Sequence, residues 1–232
     1  PGARGTGKNA CAPRATLGGM ARFCATRREF LRQAAVAPAA LAAPLPLRQT
    51  AQRRARRNVV FMLIDDLRHD FFSFLGHPFV ETPNIDRLAR NGVVFRNAFV
   101  THSLCSPSRA TILSGLYPHA HGVLDNSTPL PARVATFPQE MQRAGYRTGY
   151  VGKWHMGGES DDPRPGFDHW VSFRGQGVYF DPTFNVNGKR SVHSGYVTDH
   201  ITDYSSHFLR ENRDRPFLLY IGHKAVHHEF LP

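Results

Sequence analysis

Asn58-Val59-Val60-Phe61-Met62-Leu63-Ile64-Asp65-Asp66 is the stretch on which the reading of the fold turns. Val59–Ile64 is an unbroken apolar run ending at two carboxylates, the pattern of a strand buried on both faces of a parallel sheet. In such sheets the working residues gather beyond the carboxyl ends of the strands, where Asp65 and Asp66 stand. Two carboxylates about 4 Å apart repel by about 4 kcal/mol at an effective dielectric near 20. Solvent, a retained proton or a cation has to relieve that repulsion. At the mouth of an α/β sheet a hard divalent cation is the simplest answer, and oxygen ligands favour Ca²⁺ or Mg²⁺ over zinc.

Downstream of this run, Thr82-Pro83 opens an expected helix. Thr82 is its N-cap, Pro83 its first residue, Ile85, Leu88 and Ala89 its buried face, and Gly92 its stop. Val93–Phe95 and Ala98–Val100 read as extended. Further helices are expected over Pro107–Leu113 (closed by Gly115), Thr136–Ala144, and Thr198–Asn212 with Ile201, Tyr204, Phe208 and Leu209 inward. Thr148–Val151 and Phe217–Ile221 read as strands, and Gly166–Asn187 as loops with short strands. Strands alternating with helices imply an α/β sheet.

The charge is unevenly spread. Residues 1–57 hold twelve of the 29 basic residues and one of the 18 acidic ones, so the formal +11 belongs to that segment and the remainder is neutral. A nucleic-acid-binding reading loses its support, and no nucleic-acid partner is expected. Thr26-Arg27-Arg28-Glu29-Phe30-Leu31-Arg32 followed by the mildly apolar Ala34–Leu47 resembles a twin-arginine export signal. Residues 1–57 are therefore read as a leader, with the twin-arginine translocase as partner and a bacterial periplasmic or secreted destination. Cys11 and Cys24 fall in that leader, which leaves Cys105 alone in the exported part. A solitary cysteine in an oxidising compartment needs a reason to be there.

That reason lies in Cys105-Ser106-Pro107-Ser108-Arg109. Pro107 suits a first helical position, which would put Cys105 or Ser106 at the N-cap, facing free N–H groups and the positive end of the helix dipole. Arg109, about one turn on, can reach the same spot. Gly152-Lys153-Trp154-His155 follows an expected strand, and in an extended segment residues two apart point the same way, so Lys153 and His155 would face one pocket. His223, Lys224, His227 and His228 follow the last strand and suggest an anion site. His69, His77, His102, His119 and His121 read as structural or supporting residues.

Together with Thr82-Pro83-Asn84-Ile85-Asp86, these blocks, in this order, resemble the sulfatase family of the alkaline phosphatase superfamily from Asn58 to Pro232. Ser114 before Gly115 is a small departure, since the family usually has Thr there. The resemblance implies an alkaline-phosphatase-like sandwich with a central mostly parallel sheet flanked by helices, C-terminally incomplete, with 58–232 as the N-terminal part of the catalytic domain. It implies that Cys105 is converted to formylglycine by a formylglycine-generating enzyme. The aldehyde hydrate then attacks sulfur, and its second hydroxyl provides the exit that a thiol or serine lacks. Asp65, Asp66 and residue 105 would hold the cation, usually Ca²⁺ with Mg²⁺ as the alternative. Arg109 and Lys153 would stabilise the hydrate and the sulfate oxygens, and His155 would be the base. His227 would protonate the leaving oxygen, with His223 and His228 as alternative alignments. The family's remaining metal ligands and a further sulfate-binding lysine are not in these residues.

Leu104–Asn126 and Phe184-Asn185-Val186-Asn187-Gly188-Lys189 look most like branches acting on sulfated sugars, including N-acetylglucosamine-6-sulfatase-like enzymes. The expected substrate is a sulfated sugar or an aryl sulfate. Asp125 and Asn126 either line a sugar pocket or form a turn. Two other readings stand beside this one: a phosphodiester or phosphonate ester hydrolase using the same aldehyde, and an inactive truncated copy.

Overall fold

The computed structural model describes residues 56–229; the leader up to residue 55, with its twin-arginine run, lies outside them. Six strands form one sheet: β1 (Val59–Ile64), β2 (Arg147–Lys153), β3 (His169–Phe173), β4 (Thr183–Val186), β5 (Lys189–Val192) and β6 (Phe217–His223). Their order is β1-β6-β2-β3-β4-β5. The first three pairings in that order are parallel, and β3-β4 and β4-β5 are antiparallel. The helices are α1 (Pro83–Asn91), α2 (Cys105–Ser114), α3 (Pro118–His121), α4 (Phe137–Arg143) and α5 (Val197–Asn212). This is the mostly parallel, helix-flanked α/β architecture expected. Among the described residues no helix is long and apolar enough to cross a membrane.

Side-chain alternation splits the core in two. Val151, Val171, Leu219 and Ile221 point to one face and bury against Ile201 and Phe208 of α5. Their strand neighbours Tyr150, Trp170 and Tyr220 point to the other, against Ala110 and Leu113 of α2, with Trp154 and Met156. The register sets Ile64 opposite His223 and Gly152 opposite Gly222, so the carboxyl ends of β1, β6 and β2 finish level. Asp65, Lys153 and the 223–228 segment are thereby delivered to one end of the sheet.

Several expectations need correction. β1 is parallel to β6 but stands at the edge of the sheet, and Val59, Val60 and Met62 are exposed. Only Phe61 and Leu63 pack into the core, so the strand is not buried on both faces. α1 has no buried residue, Leu88 is 71% exposed, and the helix is tied instead through polar groups. The Ser73 hydroxyl donates to Asp86 and the Thr82 hydroxyl donates to Asp86 at 2.8 Å. Val93–Phe95 and Ala98–Val100 pair with no strand among the described residues, and Phe95 and Phe99 are exposed. β5 escaped the reading because Lys189-Arg190-Ser191 carries no apolar alternation, although Asn187-Gly188, both left-handed, is a strong hairpin turn signal.

Gly152 permits the close β2–β6 contact. Its φ is 117°, and a Cβ there would lie 2.0 Å from the Gly222 carbonyl oxygen. Gly152→Ala is expected to cost about 2–5 kcal/mol, from the unfavourable φ and the backbone displacement together. Urea denaturation of the variant against the parent checks it; equal midpoints would contradict this packing.

Candidate active site

Position 105 begins α2. Leu104 is the N-cap, in extended conformation, and its carbonyl accepts the first helical bond from Ser108 N–H at 3.0 Å. The expected cap at Cys105 or Ser106 is therefore one or two residues late, and Pro107 sits inside the first turn. Those first-turn N–H groups are still unpaired within the helix. Asn126 supplies one partner from a distance: its side-chain carbonyl accepts from Ser106 N–H at 3.0 Å. The Ser106 hydroxyl donates to the backbone carbonyl of His155, which locks α2 to the segment after β2.

Asp65 is the centre of the site. It is 6% exposed, and its backbone is stitched to the turn after β6: its N–H donates to the Ala225 carbonyl at 3.1 Å and its carbonyl accepts from Val226 N–H at 2.9 Å. One carboxylate oxygen lies 3.3 Å from Arg109 Nη2, and the other pairs with Lys153 Nζ. Burial opposes its ionisation, but the guanidinium and ammonium outweigh burial and hold its carboxyl below the ordinary range. Arg109 is itself 2% exposed and donates through Nη1 to the Lys153 carbonyl at 2.6 Å. Cys105 Sγ lies 3.7 Å from Asp65 Oδ1 and 3.9 Å from Lys153 Nζ. A cysteine, a carboxylate and two fixed cations thus meet in one place, brought from α2, the end of β1 and the end of β2.

Asp66 behaves differently. With φ 56° it turns away from its neighbour and stands half-exposed, 3.7 Å from His227 Nε2. The repulsion anticipated for adjacent acids is thus relieved by pairing buried Asp65 with two cations and leaving Asp66 in solvent beside the His227 imidazole. Asp65, Cys105 and His227 each present a ligand atom within 4.8 Å of one another, a group able to hold a metal ion. The donor chemistry fits part of a hard-dication shell: Asp65 and Asp66 both line a cleft of roughly 810 Å³, with Cys105 and His227. Ca²⁺ takes about six to eight oxygens, so these carboxylates provide a portion of one.

His227 reaches the cleft, its carbonyl held by the Tyr179 hydroxyl at 2.7 Å, and His228 packs against it with ring centroids 4.2 Å apart. His223 stays on β6, outside the cleft lining. Lys224 does not join the anion site that was read there; its ammonium sits over the Tyr179 ring, 4.5 Å from the centroid. His155 is buried near the charges, but not by strand alternation: β2 ends at Lys153, and His155 has a φ of 58°. Its Nδ1 is buried without a partner among the described residues, as is that of His227. Asp125 forms the turn, accepting from Ser127 and Thr128 N–H at 2.9 and 2.8 Å, while Asn126 lines the cleft. Gln176, which the sequence did not single out, also lines it; Gly175-Gln176-Gly177 was the signal available.

The sulfatase family model matches residues 57–231. The chain is 42% identical over 182 residues to an N-acetylglucosamine-6-O-sulfatase of Bacteroides thetaiotaomicron, an alignment covering 76% of this chain and 32% of that protein. It superposes, with TM-score 0.71 and 40% identity, on a solved structure in complex with its substrate D-glucosamine-2-N,6-O-disulfate, covering 76% of this chain and 36% of the other. A phosphonate monoester hydrolase of Agrobacterium radiobacter is also similar, with TM-score 0.53, 25% identity, and coverage of 72% and 40%. The chain spans about a third of the length of the relatives it matches best among these.

Burial, then Lys153 and Arg109, push the His155 imidazole from 6.5 down to about 4, against the pull of Asp65. The unfolded chain therefore binds this proton more readily than the folded one. Stability is full above about pH 6.5 and is lost as pH falls toward about 4. His155→Gln is expected to flatten that part of the stability curve. Urea midpoints across the range check it, and an unchanged slope would contradict the assignment.

Proposed function

The chain belongs to the sulfatase family, and from that premise we propose that it forms part of an enzyme hydrolysing sulfate monoesters of sulfated carbohydrate or aryl alcohols. The observation that carries the reading is the convergence of Asp65, Cys105, Arg109 and Lys153 on one buried point at the sheet edge. The similarity to an aminosugar sulfatase, and to a structure holding a disulfated glucosamine, supports a sulfated aminosugar as substrate.

The surroundings of Cys105 argue against a thiolate nucleophile. Burial raises its pKa first, Lys153 opposes, and Asp65 and Asp66 raise it again, for a net upward shift. Membership of the sulfatase family supports conversion of Cys105 to formylglycine by a formylglycine-generating enzyme. That group supplies, when hydrated, an oxygen nucleophile and a route for releasing sulfate. Asp65 and Asp66 would hold Ca²⁺, or Mg²⁺, whose charge acidifies an oxygen at position 105 and attracts the ester. Arg109 and Lys153 are buried donors already aimed at that position, so they bind sulfate oxygens with little reorganisation. His155, kept neutral near pH 7, can accept a proton. His227, which lines the same cleft, would give one to the leaving oxygen; burial and Lys153 lower its pKa, and the neighbouring carboxylates of Asp65 and Asp66 pull it partly back up.

Export by the twin-arginine translocase to a bacterial periplasm or beyond is supported by residues 26–47. The similarity to a phosphonate monoester hydrolase supports a second reading, hydrolysis of phosphonate esters or phosphodiesters at the same point. Rates on matched aryl sulfates and aryl phosphonates separate the two.

Cys105→Ser is expected to abolish multiple turnover while leaving the thermal midpoint within a degree or so of the parent, as a near-isosteric change at a half-buried site; normal turnover would refute the mechanism. His227→Ala is expected to lose about 10²–10⁴-fold on a sugar sulfate, whose alkoxide needs a proton. On a nitrophenyl sulfate, with its good leaving group, the loss should be far smaller. Equal losses on both substrates would remove His227 from the acid role.

A further inference from the structure

Gln176 lies in the β3–β4 connection between two glycines whose backbones are left-handed, with φ of 52° and 67°. Gly177 has no room for a side chain, since a Cβ there would lie 2.4 Å from the Phe173 ring. The double turn immediately beyond β3 brings Gln176 to the wall of the cleft that Asp65, Asp66, Cys105 and Arg109 also line. There its Oε1 accepts a hydrogen bond from Lys153 Nζ.

That bond decides which way the amide faces. An ammonium has donors and no acceptor, so the amide must turn its oxygen to Lys153 and its NH₂ away. The NH₂ donates to nothing among the described residues and is not a buried orphan. Lys153 donates to Asp65 and to Gln176 in the same arrangement, which leaves its third N–H for position 105, where Cys105 Sγ lies at 3.9 Å.

Building on the sulfatase reading, we propose that Gln176 is a further substrate-binding residue, holding Lys153 by its oxygen and donating its amide N–H to an oxygen of the sulfate group. A neutral donor suits this place. Arg109 and Lys153 already bring two positive charges against Asp65, and the uncharged amide adds direction without adding charge. A carboxylate there would keep the bond to Lys153 but repel the anion.

Gln176→Glu and Gln176→Leu separate donation from mere support of Lys153. The probe is inorganic sulfate, titrated calorimetrically into parent and variants, with kcat and KM on 4-nitrocatechol sulfate measured in parallel. Gln176→Glu is expected to weaken sulfate binding at least tenfold and to raise KM, although its carboxylate can still accept from Lys153. Parent-like sulfate affinity in Gln176→Glu, with loss confined to Gln176→Leu, would overturn the donor role and leave Gln176 only as a support for Lys153. A parent protein that binds sulfate without hydrolysing the ester contradicts the sulfatase reading; a tenfold weakening shared by Gln176→Glu and the uncharged Gln176→Leu then still supports the donor role.

Discussion

The buried carboxylate of Asp65, clamped between the guanidinium of Arg109 and the ammonium of Lys153, is the constraint on which the site depends. Taking three charges out of water is expensive, and removing one partner of such a set typically costs about 3–5 kcal/mol because the others are left uncompensated. The arrangement is tolerable because the ions satisfy one another and the chain around them is fixed. The Asp65 backbone is bonded to the turn after β6, and Arg109 also holds the Lys153 carbonyl. β1, β6, β2 and α2 are thereby fastened at the point where residue 105 is presented.

Such a cluster is over-supplied with donors. Arg109 Nε and Nη2 have no well-formed hydrogen bond among the described residues. Buried donors without acceptors are costly unless something else uses them. A tetrahedral anion entering the cleft beside Cys105 would be such an acceptor, and a cation on Asp65 and Asp66 would offset the charge it brings. The electrostatics and the family membership therefore both favour an anion at this point.

Much of this was legible in the sequence, and the residues show why. The parallel sheet and the helix at position 105 follow from an apolar run ending in acids and from a Cys-Ser-Pro-Ser-Arg opening, both local signals. The level strand ends then bring Asp65, Lys153 and the 223–228 segment together, as an α/β reading expects. What escaped was set by tertiary context. The exposure of β1 and α1 depends on what packs beside them, which periodicity does not report. The approach of His155 runs through a left-handed residue rather than strand alternation. Gln176 is aimed by two glycines and by the rule that an ammonium accepts nothing, information spread over three segments.

The central claim is that position 105 is not an ordinary thiol in the working enzyme, and peptide mass tests it most directly. The peptide spanning Cys105 would be recovered from active protein produced together with a formylglycine-generating enzyme. The account predicts a mass lowered by the exchange of H₂S for oxygen, and reactivity toward a hydrazine. An unmodified cysteine peptide from protein that turns over a sulfate ester at full rate would contradict it.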